Sequence, residues 1–217
     1  MKRMFAPGCA LTLYKPQLSE KLYHTLNENE GTMDVLGICC RLNPELEAGT
    51  EIINTCPGCN RRYKNNYIGS STISLWEVLA GSGYFEFPDY GGTRMTVLDA
   101  CPTKNEPQVH DAVRTLLSQM NIEIVEPEKT RETGTCCGDS YYGNRPVGEV
   151  KERMRARAGE MPVEDVVVYC VSCVKSIYIG GKKPRYLVDL LFGEETDPQT
   201  YEPDEWHREL DEFAGVA

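Results

Sequence analysis

Apolar residues along this chain follow two alternating patterns. Short apolar runs predict strands at residues 4–6, 32–38, 51–54, 95–98, 122–125 and 166–169. Apolar residues spaced three or four positions apart predict helices at residues 17–27, 74–79, 147–158 and 187–192, and two more that follow Cys59 and Asn105. Strands that alternate with helices are typical of α/β proteins, so we expect short parallel sheets.

The order of elements in the first half of the chain is repeated in the second. Segment 75–81 aligns with segment 187–193, with Leu, acidic, Leu and Gly residues at the same offsets. A duplication explains this match, so we expect two pseudo-symmetric lobes, at residues 1–92 and 93–193. Ligands of α/β sheets bind at the carboxyl ends of the strands, and pseudo-symmetry would turn the two sites toward a shared cleft.

Residues 194–217 are predicted to form an acidic C-terminal tail. Up to position 212 this tail has nine acidic residues and one Arg, which is typical of a solvated extension. Trp206, Leu210 and Phe213 nevertheless have helical spacing. Such a stripe suits packing on this protein or docking on a partner subunit.

Ten cysteines form two copies of one pattern, and none is left over. Each half contributes a single Cys, an adjacent Cys-Cys pair and a Cys-x-x-Cys, in that order. The first copy comprises Cys9, Cys39, Cys40, Cys56 and Cys59. The second comprises Cys101, Cys136, Cys137, Cys170 and Cys173. Five thiolates from three segments can surround a metal cluster and are too many for one tetrahedral ion, so the chain is predicted to be a duplicated iron–sulfur protein.

The local sequence around the cysteines supports this interpretation. A Cys-x-x-Cys at a strand-to-helix turn faces free backbone N–H groups, which favour the thiolate that binds iron. Gly138, after the second Cys-Cys pair, permits a bend that brings both sulfurs to one side. Two structural zinc ions and a thioredoxin-like dithiol at Cys56-Pro57-Gly58-Cys59 are alternatives, but each leaves part of the repeated pattern unexplained. Structural disulfides are a further alternative, which the reducing cytosol disfavours.

Composition excludes several classes of function. A net charge of −10 argues against nucleic-acid binding, which needs a basic surface. The sequence has no apolar run of the length that spans a bilayer, and its first residues lack the apolar stretch of a secretory signal. We therefore expect a cytoplasmic protein, in a compartment where clustered cysteines bind metal more often than they form disulfides.

The cysteine pattern resembles the cysteine-rich CCG domain, found twice in the B subunit of heterodisulfide reductases and in related oxidation proteins. The resemblance covers residues 4–193. It implies that the five cysteines of each half hold an unusual, non-cubane 4Fe-4S cluster. It also implies that two such clusters face each other across a disulfide substrate and each takes one sulfur when the disulfide is cleaved.

The first half departs from the family pattern in two respects. Only 15 residues separate Cys40 from Cys56, against 32 between Cys137 and Cys170, so we expect the intervening helix to be shortened or lost. Arg41 stands where the family has Gly. A conventional cubane or a different cluster is therefore an alternative at the first site.

These features together predict an iron–sulfur oxidoreductase subunit that reduces a small disulfide or thiol-linked substrate. The chain has no Gly-x-Gly-x-x-Gly after a strand, the fingerprint of nicotinamide and flavin binding, so its electrons would come from partner subunits that carry flavin or ferredoxin-type clusters. The alternative is a non-catalytic electron-transfer subunit of a larger redox complex.

Some polar residues lie outside the cysteine pattern. His24 and His110 fall on predicted helices and are interpreted as surface residues. Tyr141 and Tyr142 follow the second Cys-Cys pair and suit either the cluster cleft or the core. The basic run at residues 180–185 is predicted to be a solvated loop that could attract an anionic substrate.

Overall fold

A computed structural model describes residues 2–216, and its backbone contacts divide the chain into two compact units. Unit 1 comprises Met1–Phe85 and Arg208–Ala217, and unit 2 comprises Glu86–His207. The boundary near the C-terminus falls inside the last helix.

Unit 1 contains a parallel sheet of four strands within its described residues. The strands are β1 (Arg3–Ala6), β2 (Asp34–Val35), β3 (Glu51–Asn54) and β4 (Ser71–Ser74), in the order β2-β1-β3-β4. The helices of this unit are α1 (Cys9–Tyr14), α2 (Pro16–Asn29), α3 (Pro57–Asn66) and α4 (Leu75–Ala80). Ile52 and Ile53 on the central strand β3 are fully buried.

Unit 2 repeats this topology in its own parallel sheet. The strands are β5 (Thr93–Val97), β6 (Ile122–Ile124), β7 (Asp165–Val168) and β8 (Lys183–Tyr186), in the order β6-β5-β7-β8. The helices that follow these strands are α5 (Pro107–Gln119), α6 (Val147–Gly159), α7 (Val171–Ile179) and α8 (Leu187–Leu191). The predicted α/β class, built on two short parallel sheets, is confirmed.

Local sequence signals explain where these elements begin. Proline occupies the first turn of α2, α3 and α5, where its missing N–H has no helical partner to lose. Ser74 caps α4 in a capping box with Glu77, which satisfies free N–H groups at the helix start. The central strand β7 is the run Asp-Val-Val-Val, whose three valines are fully buried, as expected for a parallel strand covered on both faces.

The edge strands differ from the sequence prediction. The strand predicted at residues 32–38 contracts to β2, two exposed residues that pair with β1 alone. Strands β4 and β8 were not predicted because their sequences, Ser-Thr-Ile-Ser and Lys-Pro-Arg-Tyr, carry no apolar run. The basic run at 180–185 is therefore not a loop throughout, since its second half enters β8, an edge position that tolerates proline.

The acidic tail also contains regular structure. Its residues form α9 (Pro203–Ala214), and Trp206 of that helix is only 1% exposed. Within unit 2 the Trp206 indole N–H donates to Ser172 Oγ at 3.2 Å, and Lys175 Nζ lies 4.8 Å from the indole ring centroid. Trp206 thus packs on this protein, whereas Phe213 remains half exposed.

Residues 2–216 include no helix whose length and apolar character would let it cross a membrane.

Gly180 sets the distance between α6 and α7 in unit 2. A Cβ atom at this position would lie 2.2 Å from Ala158 Cβ and 3.1 Å from the Met154 carbonyl oxygen. We expect Gly180→Ala to lower the free energy of unfolding by about 1–3 kcal/mol, as overpacking does in cores. Urea unfolding followed by circular dichroism measures this change.

Gly148→Ala is the matched control, because a Cβ there meets no atom within 4 Å and the residue lies in α6. This control should leave stability unchanged or raise it by about 0.4–1 kcal/mol. Equal unfolding midpoints for the two variants would contradict the packing argument.

Candidate functional site

The topology of each unit delivers its cysteines to one edge of a sheet. We call the five cysteines of unit 1 the first set and those of unit 2 the second set. Each set combines one residue after the first strand of its unit, an adjacent pair after the second strand and a Cys-x-x-Cys after the third. Because parallel strands end at the same edge, three segments far apart in sequence meet there.

The five sulfurs of the first set are joined by contacts into one group. The Sγ atoms of Cys9 and Cys39 are 3.6 Å apart. Hydrogen bonds then connect Cys39 with Cys40, Cys40 with Cys59, and Cys59 with Cys56. The structure therefore brings together every cysteine predicted for this site.

The second set has the same linear arrangement of contacts. Hydrogen bonds connect Cys101 with Cys136, Cys136 with Cys137, Cys137 with Cys173, and Cys173 with Cys170. All ten cysteines lie within the described residues, and each is a free thiol. Cys137 and Cys173 are about 4% exposed, whereas Cys101, Cys136 and Cys170 are only partly buried.

Both Cys-x-x-Cys motifs lie at strand-to-helix turns, as the sequence predicts. Cys56 is the N-cap of α3 and Cys170 is the N-cap of α7. A hydrogen bond from the Cys59 thiol lowers the pKa of Cys56 to about 7, against the opposing effect of burial and with help from the backbone N–H groups of Cys59 and Gly58. The helix N-terminus thus stabilises a thiolate at this position.

Within the first set, ionisation of one thiol opposes ionisation of the next. Hydrogen bonds to Cys40 and Cys56, and then burial, raise the pKa of Cys59 well above its usual value. Burial, followed by the charge on Cys39, raises the pKa of Cys9 to about 12. The hydrogen bond from Cys59 lowers the pKa of Cys40.

In the second set, too, the pKa values of some thiols are lowered and those of their neighbours are raised, and the shifts are larger. Hydrogen bonds from Cys101 and Cys137 hold the pKa of Cys136 far below its usual value. The hydrogen bond to Cys136, and then burial, raise the pKa of Cys101, and a hydrogen bond to Cys136 raises that of Cys137. Hydrogen bonds to Cys137 and Cys170 raise the pKa of Cys173. Five thiols this close cannot all ionise without a positive centre among them.

Gly138 shapes the loop of the second Cys-Cys pair. Its φ of 112° lies in the region that favours glycine, and a Cβ there would be 2.6 Å from Met154 Cγ and 2.9 Å from Met154 N. The Gly138 N–H donates to Cys136 Sγ at 3.3 Å. The predicted bend after this pair is therefore present, and it presses the loop against α6.

The short spacing between Cys40 and Cys56 corresponds to a loop in the structure. Residues 43–50, all of them described, contain no helix, whereas α6 occupies the corresponding stretch of unit 2. Arg41 hydrogen-bonds Cys39 and forms an ion pair with Asp211 at 2.7 Å. A guanidinium thus faces a sulfur of the first set.

A cavity of about 140 Å³ adjoins the first set. Cys9, Cys40 and Cys59 line one part of it, and Val35, Ile38 and Phe213 form an apolar part in which each side chain is 45–54% exposed. The first set is therefore reachable from solvent along an apolar surface.

Polar side chains surround the second set instead. Ser140 Oγ lies 2.9 Å from Cys136 Sγ, and Ser176 Oγ donates to Cys137 Sγ at 3.3 Å. Asp139, directly after Cys136-Cys137-Gly138, bonds His207 Nε2 at 3.0 Å. The His207 ring stacks on Tyr142 with a centroid separation of 3.9 Å.

Sequence reasoning missed His207, which lies far from the cysteine repeat along the chain and matches no spacing within it. The expectation for His110 was wrong. His110 is 1% exposed on the inward face of α5, and its Nε2 lies 3.3 Å from Thr103 Oγ1. His24 is exposed, as predicted.

Among residues 2–216, no group of three or more His, Cys, Asp or Glu side chains is arranged to hold a metal ion.

Comparisons with known proteins add little. No protein-family model matches the chain, and no curated protein matches it. Among solved structures, the chain is similar to an aspartate racemase from Picrophilus torridus, with 14% identity and a TM-score of 0.37 over 97% of this chain and 100% of that one. At this TM-score, the similarity supports no conclusion about the fold or the function of this chain.

Replacement of Gly138 tests the shape of the second site. Gly138→Ala combines an unfavourable backbone conformation, about 1–2 kcal/mol, with a clash against the α6 backbone, about 1–3 kcal/mol. Gly143→Ala is the control, because its φ is also positive at 77° but a Cβ there meets no atom within 4 Å. We expect Gly138→Ala to lower the urea midpoint clearly further than the control, and equal midpoints would contradict the close approach.

Proposed function

We propose that this chain is an iron–sulfur oxidoreductase subunit that reduces a disulfide, with one cluster in each cysteine set. The observation that carries the proposal is the grouping of five thiols in each unit, at the strand ends where α/β folds bind ligands. The resemblance to the CCG domain suggests non-cubane 4Fe-4S clusters, with a cubane as the alternative at the first set.

An electrostatic argument supports the binding of such a group. In each set some thiols hold their protons because neighbouring thiolates lie against them. Iron cations would remove this repulsion and allow all five sulfurs to ionise, since thiolates are the form that binds metal. Backbone N–H groups of Gly58 and Gly138 donate to sulfurs and would moderate the cluster potential.

An iron–sulfur cluster supplies electrons singly and can ligate a sulfur of the substrate. The side chains have the tasks of holding the sulfurs, excluding water and admitting the substrate. Burial of Cys137 and Cys173 shields these two sulfurs of the second set from water. The cavity beside Cys9, Cys40 and Cys59 supports an open, reactive site at the first set, because a relay needs no such access.

Reduction of a disulfide consumes two electrons and two protons and yields two thiols. The electrons would come from a partner subunit with flavin or ferredoxin-type clusters, and the protein would act in the reducing cytoplasm. Anaerobic purification followed by iron and sulfide analysis tests the proposal. About eight irons per chain are expected, whereas zinc without sulfide would overturn it.

Removal of one buried thiol tests the assignment of the second set. Cys137→Ala takes away a sulfur at the centre of the hydrogen-bonded chain, so we expect iron to fall from about eight to about four per chain. Ser140→Ala is the control, since it removes a hydroxyl next to Cys136 but no thiolate. Full iron in Cys137→Ala would contradict the assignment.

Addition of a dithiol separates an enzyme from an electron-transfer subunit. A reactive cluster has an open iron position, so its electron paramagnetic resonance spectrum should change when the dithiol binds. An unchanged spectrum in a protein with full iron would favour the electron-transfer alternative.

A further inference from the structure

Asp99 is a buried carboxylate in unit 2, two residues before Cys101, and is only 3% exposed. It accepts two hydrogen bonds from Arg114, both at 2.9 Å, and one from the Arg131 backbone N–H at 2.8 Å. Tyr169 donates to it at 3.2 Å and Thr130 at 3.1 Å. Such a degree of bonding indicates a specific role, because a buried charge is costly unless it is fully paired.

The partners of Asp99 belong to the segments that carry the second set. Asp99 itself leads into Cys101, and Tyr169 immediately precedes Cys170. Thr130 and Arg131 lie on the loop that leads to Cys136. One carboxylate is therefore bonded close to all three cysteine-bearing segments of this unit.

We propose that Asp99 is the positioning residue that assembles the second cysteine set before any metal is present. The proposal rests on the proposed function and deepens it: the protein's own hydrogen bonds, rather than a metal, hold the thiols of the second set in place. In this proposal Asp99 positions the thiols and does not itself bind the metal.

Among the described residues of unit 1, no Asp or Glu is buried as Asp99 is. Pro7 stands two residues before Cys9 and has no side-chain acceptor, and Thr55 before Cys56 donates a single hydrogen bond to the Pro7 carbonyl. The first set is therefore a natural internal reference in any test of Asp99.

The test measures alkylation rates of individual cysteines in the metal-free, reduced protein by mass spectrometry. Asp99→Asn places an NH2 group against the donors Arg114 and Arg131. Because two donors cannot form a hydrogen bond, we expect the three segments to separate more easily. Cys137 and Cys173 should then react about tenfold faster, equivalent to 1.4 kcal/mol of easier local opening, while Cys59 of the first set keeps its rate.

Asp111→Asn is the matched control. Asp111 pairs with the side chain of the same Arg131 at 2.6 Å, but its side chain is 67% exposed, and this ion pair involves only one of the three cysteine-bearing segments. Unchanged rates at Cys137 and Cys173 in Asp99→Asn would overturn the proposal. Equal acceleration of Cys59 would also overturn it, because that result shows general destabilisation.

A cadmium titration separates this proposal from the proposed function. If both hold, the wild-type protein binds thiolate-coordinated cadmium in both sets and Asp99→Asn loses about half of it. If the wild-type protein binds none, the proposed function fails, while selective exposure of Cys137 and Cys173 in Asp99→Asn still supports the positioning role.

Discussion

The parallel order of the strands is the constraint on which the site depends. In both sheets the first strand of the unit lies between the second and the third, so the three segments that follow them emerge side by side. Each of those segments carries one part of the cysteine pattern. Helices or loops connect the parallel strands, and these connections can differ in length without moving the ends of the strands. The loss of a helix between Cys40 and Cys56 is therefore tolerated, because β3 still ends beside β1.

Repulsion between thiolates gives the two sets their chemical character. In each set hydrogen bonds stabilise some sulfurs as thiolates and keep their neighbours protonated. The surroundings of the two sets differ, however. Arg41 and an apolar cavity adjoin the first set, whereas serine hydroxyls and the Asp139–His207 pair adjoin the second. A duplicated framework thus presents two environments, and the chemistry of one set need not match that of the other.

The sequence allowed the central strands, most helices and the membership of both cysteine sets to be predicted. Apolar runs such as Val166–Val168 and repeated cysteine spacing are local signals, and they are strong. The edge strands β4 and β8 were not predicted because their sequences, which are rich in polar residues, contain no apolar run. Asp99 and His207 were missed for another reason: their roles depend on partners 15 to 70 positions away, which no local pattern encodes.

The separation of the cysteines along the chain has a consequence for folding order. Cys101 and Cys170 follow β5 and β7 and are about 70 positions apart along the chain. These two strands must be paired before the two cysteines come close to each other. In a zinc finger the ligands are close in sequence, and the metal drives folding of an otherwise unfolded peptide. Here the core also contains many buried apolar side chains that are not ligands, such as Val166 and Val167 within the sheet. If the proposed clusters bind, the polypeptide is therefore expected to fold before they are inserted and to keep its fold when they are removed.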